Sequence, residues 1–286
     1  MTRIVVLGSN GFLGTELHET LSKNNFHAHY MIHKKIKELK NNQFYGDILE
    51  SKTLFKNLND NDIVVNLVGQ YSKNDSEFIN SNLTGSLNLL NIAKEKKLKI
   101  IYASSLNVYG ESCKYPSKEK DLPNPITKYG LIKLLTEKLY EQYSKLYNID
   151  VTIIRFGNIY GKKKKSGIIY NILNSTKKNP VTLTNNGNQF RDFLHIDDAV
   201  SGLIRTIEVP PKNYQIYNLC SQEKISSKQI IKFIESYLQK KIPFIIQDNK
   251  IDEKCIWGDN SKFQNHYDFL PKISFKKGLH ESIFEK

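Results

Sequence analysis

Two polar side chains at helical spacing suggest proton-transfer chemistry. Tyr129 and Lys133 are four residues apart in a segment of helical apolar periodicity, so both project from one helix face. A phenol with a pKa of about 10 is a poor acid–base catalyst at neutral pH. An ammonium about 4 Å away supplies about 4 kcal/mol at an effective dielectric near 20, enough to lower that pKa by about three units. On its own, however, such a pair is common on protein surfaces.

A serine upstream of this pair could act on the same substrate atom. Ser105 directly follows the apolar run 99–104, which is the fifth predicted strand. Ligands of parallel α/β sheets bind just beyond the carboxyl ends of the strands. A hydroxyl group there can hydrogen-bond the substrate oxygen that the tyrosine protonates. Ser105, Tyr129 and Lys133 therefore form a candidate catalytic set.

The elements that must position these residues alternate along the chain. Short apolar runs without polar alternation predict strands that are buried on both faces, as in a parallel sheet covered by helices. These runs lie at residues 3–8, 28–32, 62–69, 99–104 and 151–157. Apolar residues at helical spacing fill the segments between them, at 12–24, 77–97 and 128–147. The pattern predicts an α/β fold with a doubly wound parallel Rossmann sheet.

The pattern changes to shorter, mixed elements after about residue 165. Helical periodicity recurs at 226–240 and 274–286. We therefore predict a dinucleotide-binding domain at 1–165 and a smaller, mixed substrate domain at 166–286, with residues 191–222 returning to the first domain.

Three glycines follow the first predicted strand and lead into the first helix. Gly8, Gly11 and Gly14 stand where a phosphate cradle needs a tight turn, close approach of the backbone to a diphosphate, and close packing of helix on strand. The anion then binds the free amides at the helix N-terminus. Because the strand–turn–helix context is present, we expect this segment to bind a dinucleotide.

The residues after the second strand indicate which dinucleotide is bound. An acidic residue there normally accepts hydrogen bonds from the ribose hydroxyls, but this chain has His33, Lys34 and Lys35. A basic cluster would attract a 2′-phosphate, which favours NADP(H), with NAD(H) as the alternative and a solvated loop as the simpler interpretation. Asp47 is the candidate for contact with the adenine edge.

Charge and composition exclude several other classes. The net charge is +13, but lysines dominate and are spread over the whole chain, whereas phosphate and base recognition favours arginine. We therefore expect no nucleic acid partner, and the absence of a long apolar run predicts no membrane span. The lysine run 162–165 is interpreted as a solvated loop, with an anion-attracting lip of the site as the alternative.

The cysteines and the amino terminus indicate a cytoplasmic protein. Cys113, Cys220 and Cys255 are odd in number and far apart, so neither a disulfide framework nor a metal site is expected. The first residues enter a strand pattern directly and lack the features of a signal peptide.

Seven stretches occur in the order typical of one family and span nearly the whole chain. They are GSNGFLG (8–14), NLTGSLNLL (82–90), SSLNVYG (104–110), YGLIK (129–133), RFGNIYG (155–161), RDFLHIDDAV (191–200) and GDNSKF (258–263). The sequence thereby resembles the extended short-chain dehydrogenase/reductases of the NAD(P)-dependent nucleotide-sugar epimerase/dehydratase group.

This resemblance implies roles for individual residues. Tyr129 would be the acid–base, Lys133 would lower its pKa and hold the nicotinamide ribose, and Ser105 would bind the reacting sugar oxygen. Besides these and the residues already named, the cofactor would contact Gly8, Asn10, Gly11, Phe12, Leu13, Ile48, Leu67, Val68, Gly69 and Asn82. The nucleotide-diphosphate sugar would contact Gln70, Tyr71, Ser105, Leu106, Asn107, Asn158 and Arg191. Arg191 would bind the diphosphate; the alternative is a salt bridge to Asp192 or Asp197. Relatives are usually homodimers, formed through the helices at 77–97 and 128–147.

Three functions remain open, and the residues after Ser105 and after the second strand indicate which of them is favoured. Members that eliminate water carry an Asp-Glu pair after the catalytic Ser or Thr, where this chain has Leu106 and Asn107. With a dehydratase set aside, the basic cluster and the lean substrate domain favour NADPH-dependent reduction of a nucleotide-linked 4-keto (6-deoxy) sugar. A 4-epimerase with bound NAD is the alternative. A catalytically inactive nucleotide-sensing or RNA-binding module is a minor alternative, disfavoured because the catalytic set is intact.

Overall fold

The structure is a computed structural model that describes residues 2–33, 38–69, 74–112, 114–247 and 254–284. The strands are β1 (Ile4–Leu7), β2 (Ala28–Ile32), β3 (Gln43–Tyr45), β4 (Ile63–Asn66), β5 (Lys99–Ser105), β6 (Asp150–Phe156), β7 (Asn158–Tyr160), β8 (Val181–Leu183), β9 (Phe190–His195), β10 (Tyr214–Leu219), β11 (Lys224–Ser226), β12 (Phe244–Ile246) and β13 (Cys255–Ile256). The helices are α1 (Phe12–Lys23), α2 (Ser51–Asn57), α3 (Asp75–Ile79), α4 (Gly85–Lys96), α5 (Lys128–Tyr147), α6 (Ile168–Leu173), α7 (Ile196–Glu208), α8 (Ser227–Leu238), α9 (Ser261–Tyr267) and α10 (Phe275–Phe284). Within these ranges no helix combines the length and apolar character that a bilayer crossing requires.

A parallel sheet of seven strands, ordered β10-β6-β5-β4-β1-β2-β3, forms the centre of the fold. Its strands are apolar on both faces because a hydrophobic cluster lies on each side of the sheet. The strand order reverses beside β1, which places the carboxyl ends of β1 and β4 at a crevice where ligands of such sheets bind. The predicted doubly wound α/β sheet is confirmed.

A smaller mixed sheet lies beside the central one. In it β9 pairs antiparallel with β11 and parallel with β7 and β13, while β8 and β12 form a separate parallel pair. Their buried side chains pack with α6, α8 and α10 into a third apolar cluster. From the range 191–222, β10 joins the central sheet beside β6 and β9 belongs to the smaller sheet.

The helix predicted at 77–97 is interrupted. Between α3 and α4, residues 80–84 form one π-helical turn, with Asn82 at its centre. The Asn82 side chain donates to the Phe78 carbonyl at 2.8 Å, the acceptor that the Asn82 backbone amide would use in a regular α-helix. The π-helical turn therefore buries the polar side chain of Asn82 near the carboxyl end of the sheet.

Candidate active site

Two of the three glycines after β1 stand where a larger residue would not fit. Gly8 has φ +81°, and a Cβ on Gly14 would lie 2.2 Å from the Gly8 carbonyl oxygen. Helix α1 follows with Gly11 as N-cap, which supplies no side-chain cap, and its first turn holds no acidic residue. The Gly11 amide donates to the Gly8 carbonyl at 3.1 Å, so the Phe12 and Leu13 amides are left to bind an anion. This cradle fits the diphosphate of a dinucleotide.

The end of β4 closes the other side of the cradle. A Cβ on Gly8 would lie 3.0 Å from the Leu67 carbonyl carbon, so the β1 and β4 termini are in close contact. Gly69 has φ +112°, and a Cβ there would lie 2.1 Å from Asn82 Oδ1. The Val68 amide donates to Asn66 Oδ1 at 3.1 Å, which shapes the turn between them. Leu67, Val68, Gly69 and Asn82, predicted to line one cofactor pocket, lie together.

The basic cluster predicted to bind a 2′-phosphate is described only at His33. Lys34 and Lys35 lie outside the described residues. His33 Nδ1 lies 3.7 Å from Asp47 Oδ2, and Asp47 Oδ1 accepts from the Leu49 amide at 2.9 Å. A carboxylate thus stands beside His33, the described member of the cluster predicted to bind a 2′-phosphate. The next residue, Ile48, is buried and packs against Gly85 at the start of α4, which fixes the segment that carries Asp47.

The candidate proton-transfer residues meet above the end of β5. Thr127 caps α5 by accepting from the Gly130 amide at 3.2 Å, which starts the helix just before Tyr129. The Ser105 hydroxyl lies close enough to the Tyr129 phenol to lower the pKa of Tyr129. The Tyr129 ring also stacks on Phe78, with centroids 5.9 Å apart. Strand β5, helix α5 and the segment before the π-turn thus fix the phenol together.

Lys133 is tied to the sheet beneath Tyr129. Its Nζ donates to the Tyr102 hydroxyl at 3.1 Å and to the Ala103 carbonyl at 3.0 Å. Tyr102 in turn donates to Asn82 Oδ1 at 3.5 Å, so a chain of hydrogen bonds runs from α5 to the predicted cofactor pocket. Burial lowers the pKa of Lys133 to about 7, opposed by the nearby carboxylate of Glu137.

The pKa of Tyr129 differs from the sequence-based expectation. We expect Lys133 to lower it, but burial of the phenol raises the pKa of Tyr129, opposed by the neighbouring Ser105 side chain. The Lys133 ammonium donates to Tyr102 and Ala103, and burial disfavours its own charge by lowering its pKa. In this arrangement Ser105 is the group that favours ionisation of Tyr129.

A buried ion pair lies one helical turn beyond Lys133. Arg155 on β6 binds both carboxylate oxygens of Glu137 at 2.6–3.2 Å, and Ser104 donates to Glu137 Oε1. The side chains of Glu137 and Arg155 are 2% and 3% exposed. Arg155 also lies 4.7 Å from the centroid of the Tyr109 ring.

The residues predicted to face the sugar are placed in different ways. Asn107 accepts from the Ser105 hydroxyl at 2.8 Å and so orients it. Leu106 differs from the expectation: its side chain is 1% exposed and packs in a core cluster with Cys220 and Ile256, so it is unavailable to a substrate. The reason is the short 3₁₀ turn of residues 106–109, which directs it inward. Gln70 and Tyr71 lie outside the described residues.

Asn158 and Arg191 stand on neighbouring strands of the smaller sheet. Asn158 starts β7 and is partly exposed; Arg191 lies on β9 and donates to the Phe190 carbonyl at 2.8 Å. The two carboxylates proposed as alternative partners of Arg191 have other contacts. Asp192 accepts from Ser221 and Gln222, and Asp197 lies 3.6 Å from His195 Nδ1.

Three residues of the site were missed by sequence reasoning. Tyr102 lies inside an apolar run that indicated only a strand, and nothing local marked its hydroxyl as a partner of Lys133. Phe78 belonged to a helix interpreted by its periodicity alone. Glu137 could have been found by continuing the i, i+4 series from Tyr129 and Lys133 along one face of α5.

Comparison with known proteins adds to this geometry. The sequence profile of the NAD dependent epimerase/dehydratase family matches residues 4–220. An uncharacterised protein of Methanocaldococcus jannaschii is 32% identical, over 96% of this chain and 93% of its own length. The UDP-glucuronate 4-epimerase of Thermodesulfobacterium geofontis is 29% identical, over 72% of this chain and 65% of its own. The crystal structure of UDP-glucuronic acid 4-epimerase from Bacillus cereus, in complex with UDP-glucuronic acid and NAD, superposes with a TM-score of 0.87 at 26% identity, covering 97% of this chain and 96% of that one.

Proposed function

Because the chain belongs to the NAD dependent epimerase/dehydratase family, we propose that it interconverts the C4 epimers of a UDP-linked sugar with NAD as its cofactor. The observation that carries this proposal is the placement of Ser105, Tyr129 and Lys133 at the sheet edge that also bears the glycine cradle. Support for the substrate class comes from relatives that are 4-epimerases of UDP-glucuronate.

The chain's own residues would bind the sugar and move its proton. Tyr129 Oη would take the proton of the 4-hydroxyl group and return it after the hydride transfers. Ser105 would hydrogen-bond the same oxygen, held in place by Asn107. Lys133 would hold the cofactor ribose, and Asn158 and Arg191 would contact the sugar nucleotide, with Arg191 on its diphosphate. NAD, when bound, supplies the acceptor that takes the C4 hydride and gives it back.

The residues after Ser105 favour epimerisation over dehydration. Elimination of water requires additional titratable groups near the sugar. Here Leu106 is buried in the core, and Asn107, which does not titrate, is engaged with the Ser105 hydroxyl. Tyr129 is thus the acid–base group that the described part of the site offers to the sugar.

Reduction of a 4-keto sugar by NADPH, preferred on sequence grounds, is the second candidate. The observation that favours it is the basic sequence His33-Lys34-Lys35 after β2. Two observations weigh against it: Asp47 stands beside His33, and the Bacillus cereus 4-epimerase binds NAD. A catalytically inactive nucleotide-sensing or RNA-binding module is a minor candidate. The presence of Ser105, Tyr129 and Lys133 disfavours it, because an inactive module has no need of a complete catalytic set.

We also propose that the protein is a homodimer assembled through α4 and α5. Leu131 and Leu135 lie four residues apart on one face of α5 and are 46% and 44% exposed, and Leu87 on α4 is exposed as well. Exposed leucines on two packed helices are typical of a surface that another chain covers. A cytoplasmic location, and the domain boundary near residue 165, stay predictions.

The test is an assay of purified protein without added cofactor. Incubation with UDP-glucuronate or UDP-glucose should produce the C4 epimer, separated by ion-exchange chromatography, and the product should be absent with Tyr129→Phe. Nucleotide released by acid should be NAD. Consumption of NADPH with a nucleotide-linked 4-keto sugar, together with no epimer from either hexose, would establish the reductase instead.

A further inference from the structure

The lysine run at 162–165 does not behave as one solvated loop. Lys163 binds Glu16 and Glu19 of α1 at 2.8 and 2.9 Å, which ties the loop after β7 to the helix of the glycine cradle. Lys162 and Lys165 are exposed. Lys164 instead turns inward and is partly buried. The run therefore divides into an anchor, two exposed residues, of which Lys162 also lines the neighbouring cavity, and one residue that is turned inward.

The Lys164 ammonium is held where no carboxylate neutralises it. Its Nζ donates to the Ile159 carbonyl at 2.6 Å and lies 5.6 Å from the centroid of the Phe12 ring. Across the residues that the structure describes, it forms no ion pair. Burial lowers its pKa, with no opposing contribution from a carboxylate. An ammonium has three donors, and the described contacts use one of them.

The surroundings of Lys164 belong to both predicted ligand sites. Phe12 is the first residue of α1, whose amides form the proposed diphosphate cradle. On its other side, Lys164 and Asn158 line one cavity of about 230 Å³. Lys163 fixes the loop, so the position of Lys164 between these two sites is set by the fold.

We propose that Lys164 binds a diphosphate oxygen at the junction of the dinucleotide and sugar-nucleotide sites. A partly desolvated cation without a counter-charge gains most from an anionic ligand, because the ligand supplies the missing charge and accepts the remaining N–H groups. A diphosphate could belong to the cofactor or to the sugar nucleotide. The inference rests on the proposed function, since it uses that function's two ligands.

Binding measurements with matched lysine variants test this inference. Titration calorimetry of the nucleotide-free full-length protein would use NAD and UDP separately as probes. Lys164→Gln should lower the affinity for the ligand that Lys164 contacts by about tenfold, whereas Lys164→Arg should retain most of that affinity. The neighbouring Lys165→Gln should leave the affinities for NAD and UDP unchanged. Selective loss of UDP affinity identifies the sugar nucleotide as the source, and selective loss of NAD affinity identifies the cofactor.

A second measurement on the unaltered protein removes any dependence on variant folding. Acetylation of lysines, read by mass spectrometry, should be slowed at Lys164 by the bound ligand and unchanged at Lys165. Equal effects of Lys164→Gln and Lys165→Gln on both ligands, or no protection of Lys164, would overturn the inference. If the unaltered protein binds neither NAD nor UDP, the proposed function is refuted, and this inference with it.

Discussion

Replacing Glu137 by Gln should destabilise the protein severely, because it leaves Arg155 as an unpaired buried cation. The Glu137 and Arg155 side chains are 2% and 3% exposed and joined by N–H···O contacts of 2.6–3.2 Å, so solvent screens the pair little. Removal of one partner of such a pair costs about 3–5 kcal/mol. Chemical denaturation monitored by circular dichroism would measure this loss of unfolding free energy.

The same substitution should change the pH dependence of catalysis. The Glu137 carboxylate raises the pKa of Lys133, which burial has lowered to about 7. Without that carboxylate the pKa falls further, and the ammonium, present only below its pKa, is lost at lower pH. If catalysis needs charged Lys133, the alkaline limb of the kcat profile should move to lower pH in Glu137→Gln.

Matched variants separate the ion pair from simple loss of packing. Glu137→Met/Arg155→Met removes both charges and should be clearly more stable than Glu137→Gln, because neither charge is left alone. Ser104→Ala removes one hydrogen bond to Glu137 and should cost about 1 kcal/mol. The reasoning is refuted if Glu137→Gln costs under about 1 kcal/mol, or if the double variant is the least stable of the three.

Four further predictions follow from the site and its surroundings. Tyr129→Phe keeps the ring on Phe78 and should lower kcat about 10²- to 10⁴-fold in the epimerisation assay, because it removes the proton-transfer group; near-normal turnover would contradict this. Gly14→Ala should weaken NAD binding by about tenfold or more in calorimetry, since the new Cβ would lie 2.2 Å from the Gly8 oxygen; an unchanged affinity would refute the cradle. Burial holds the folded-state pKa of Lys133 near 7, so between about pH 7 and 10 the unfolded chain binds more protons at this residue and its contribution to stability rises with pH. Lys133→Met should therefore reduce the increase of unfolding free energy with pH, measured by denaturation at several pH values. An unaltered pH dependence would show that the pKa of Lys133 is not lowered. Light scattering should show a dimer for the unaltered protein, as proposed, and a monomer for Leu131→Glu; a dimer mass for both would exclude the α4/α5 surface.

The central sheet was predictable because its signals are local. Strands such as Ile4–Leu7 and Ile63–Asn66 are short apolar runs, and the glycines after the first run mark a turn that other residues cannot form. Helix α5 was predicted at its observed bounds, since its apolar periodicity is a local signal. Such features depend little on the rest of the chain.

What escaped prediction depends on contacts between distant residues. The π-turn around Asn82 has no periodicity of its own, and the Asn82 side chain competes for a carbonyl only once it is buried. The inward direction of Leu106 follows from the 3₁₀ turn and from packing on Cys220 and Ile256. The pKa of Tyr129 was expected to fall, because spacing shows which residues share a face but not how deeply they are buried.

The preference between reductase and epimerase shows the same limit. The basic residues after β2 favoured NADP on charge alone. The sequence did not reveal that the fold places the Asp47 carboxylate beside His33. The comparisons favour the NAD-dependent epimerase, the alternative in the sequence-based ordering.

The most direct test of the central claim follows a deuterium atom placed at C4 of a UDP-linked hexose or hexuronate. If Tyr129 moves only the hydroxyl proton while the bound cofactor holds and returns the hydride, the epimer should keep its deuterium at C4 and take none from solvent, as read by NMR. Loss of the label to water, or absence of any epimer while a 4-keto sugar is reduced with NADPH, would contradict the account.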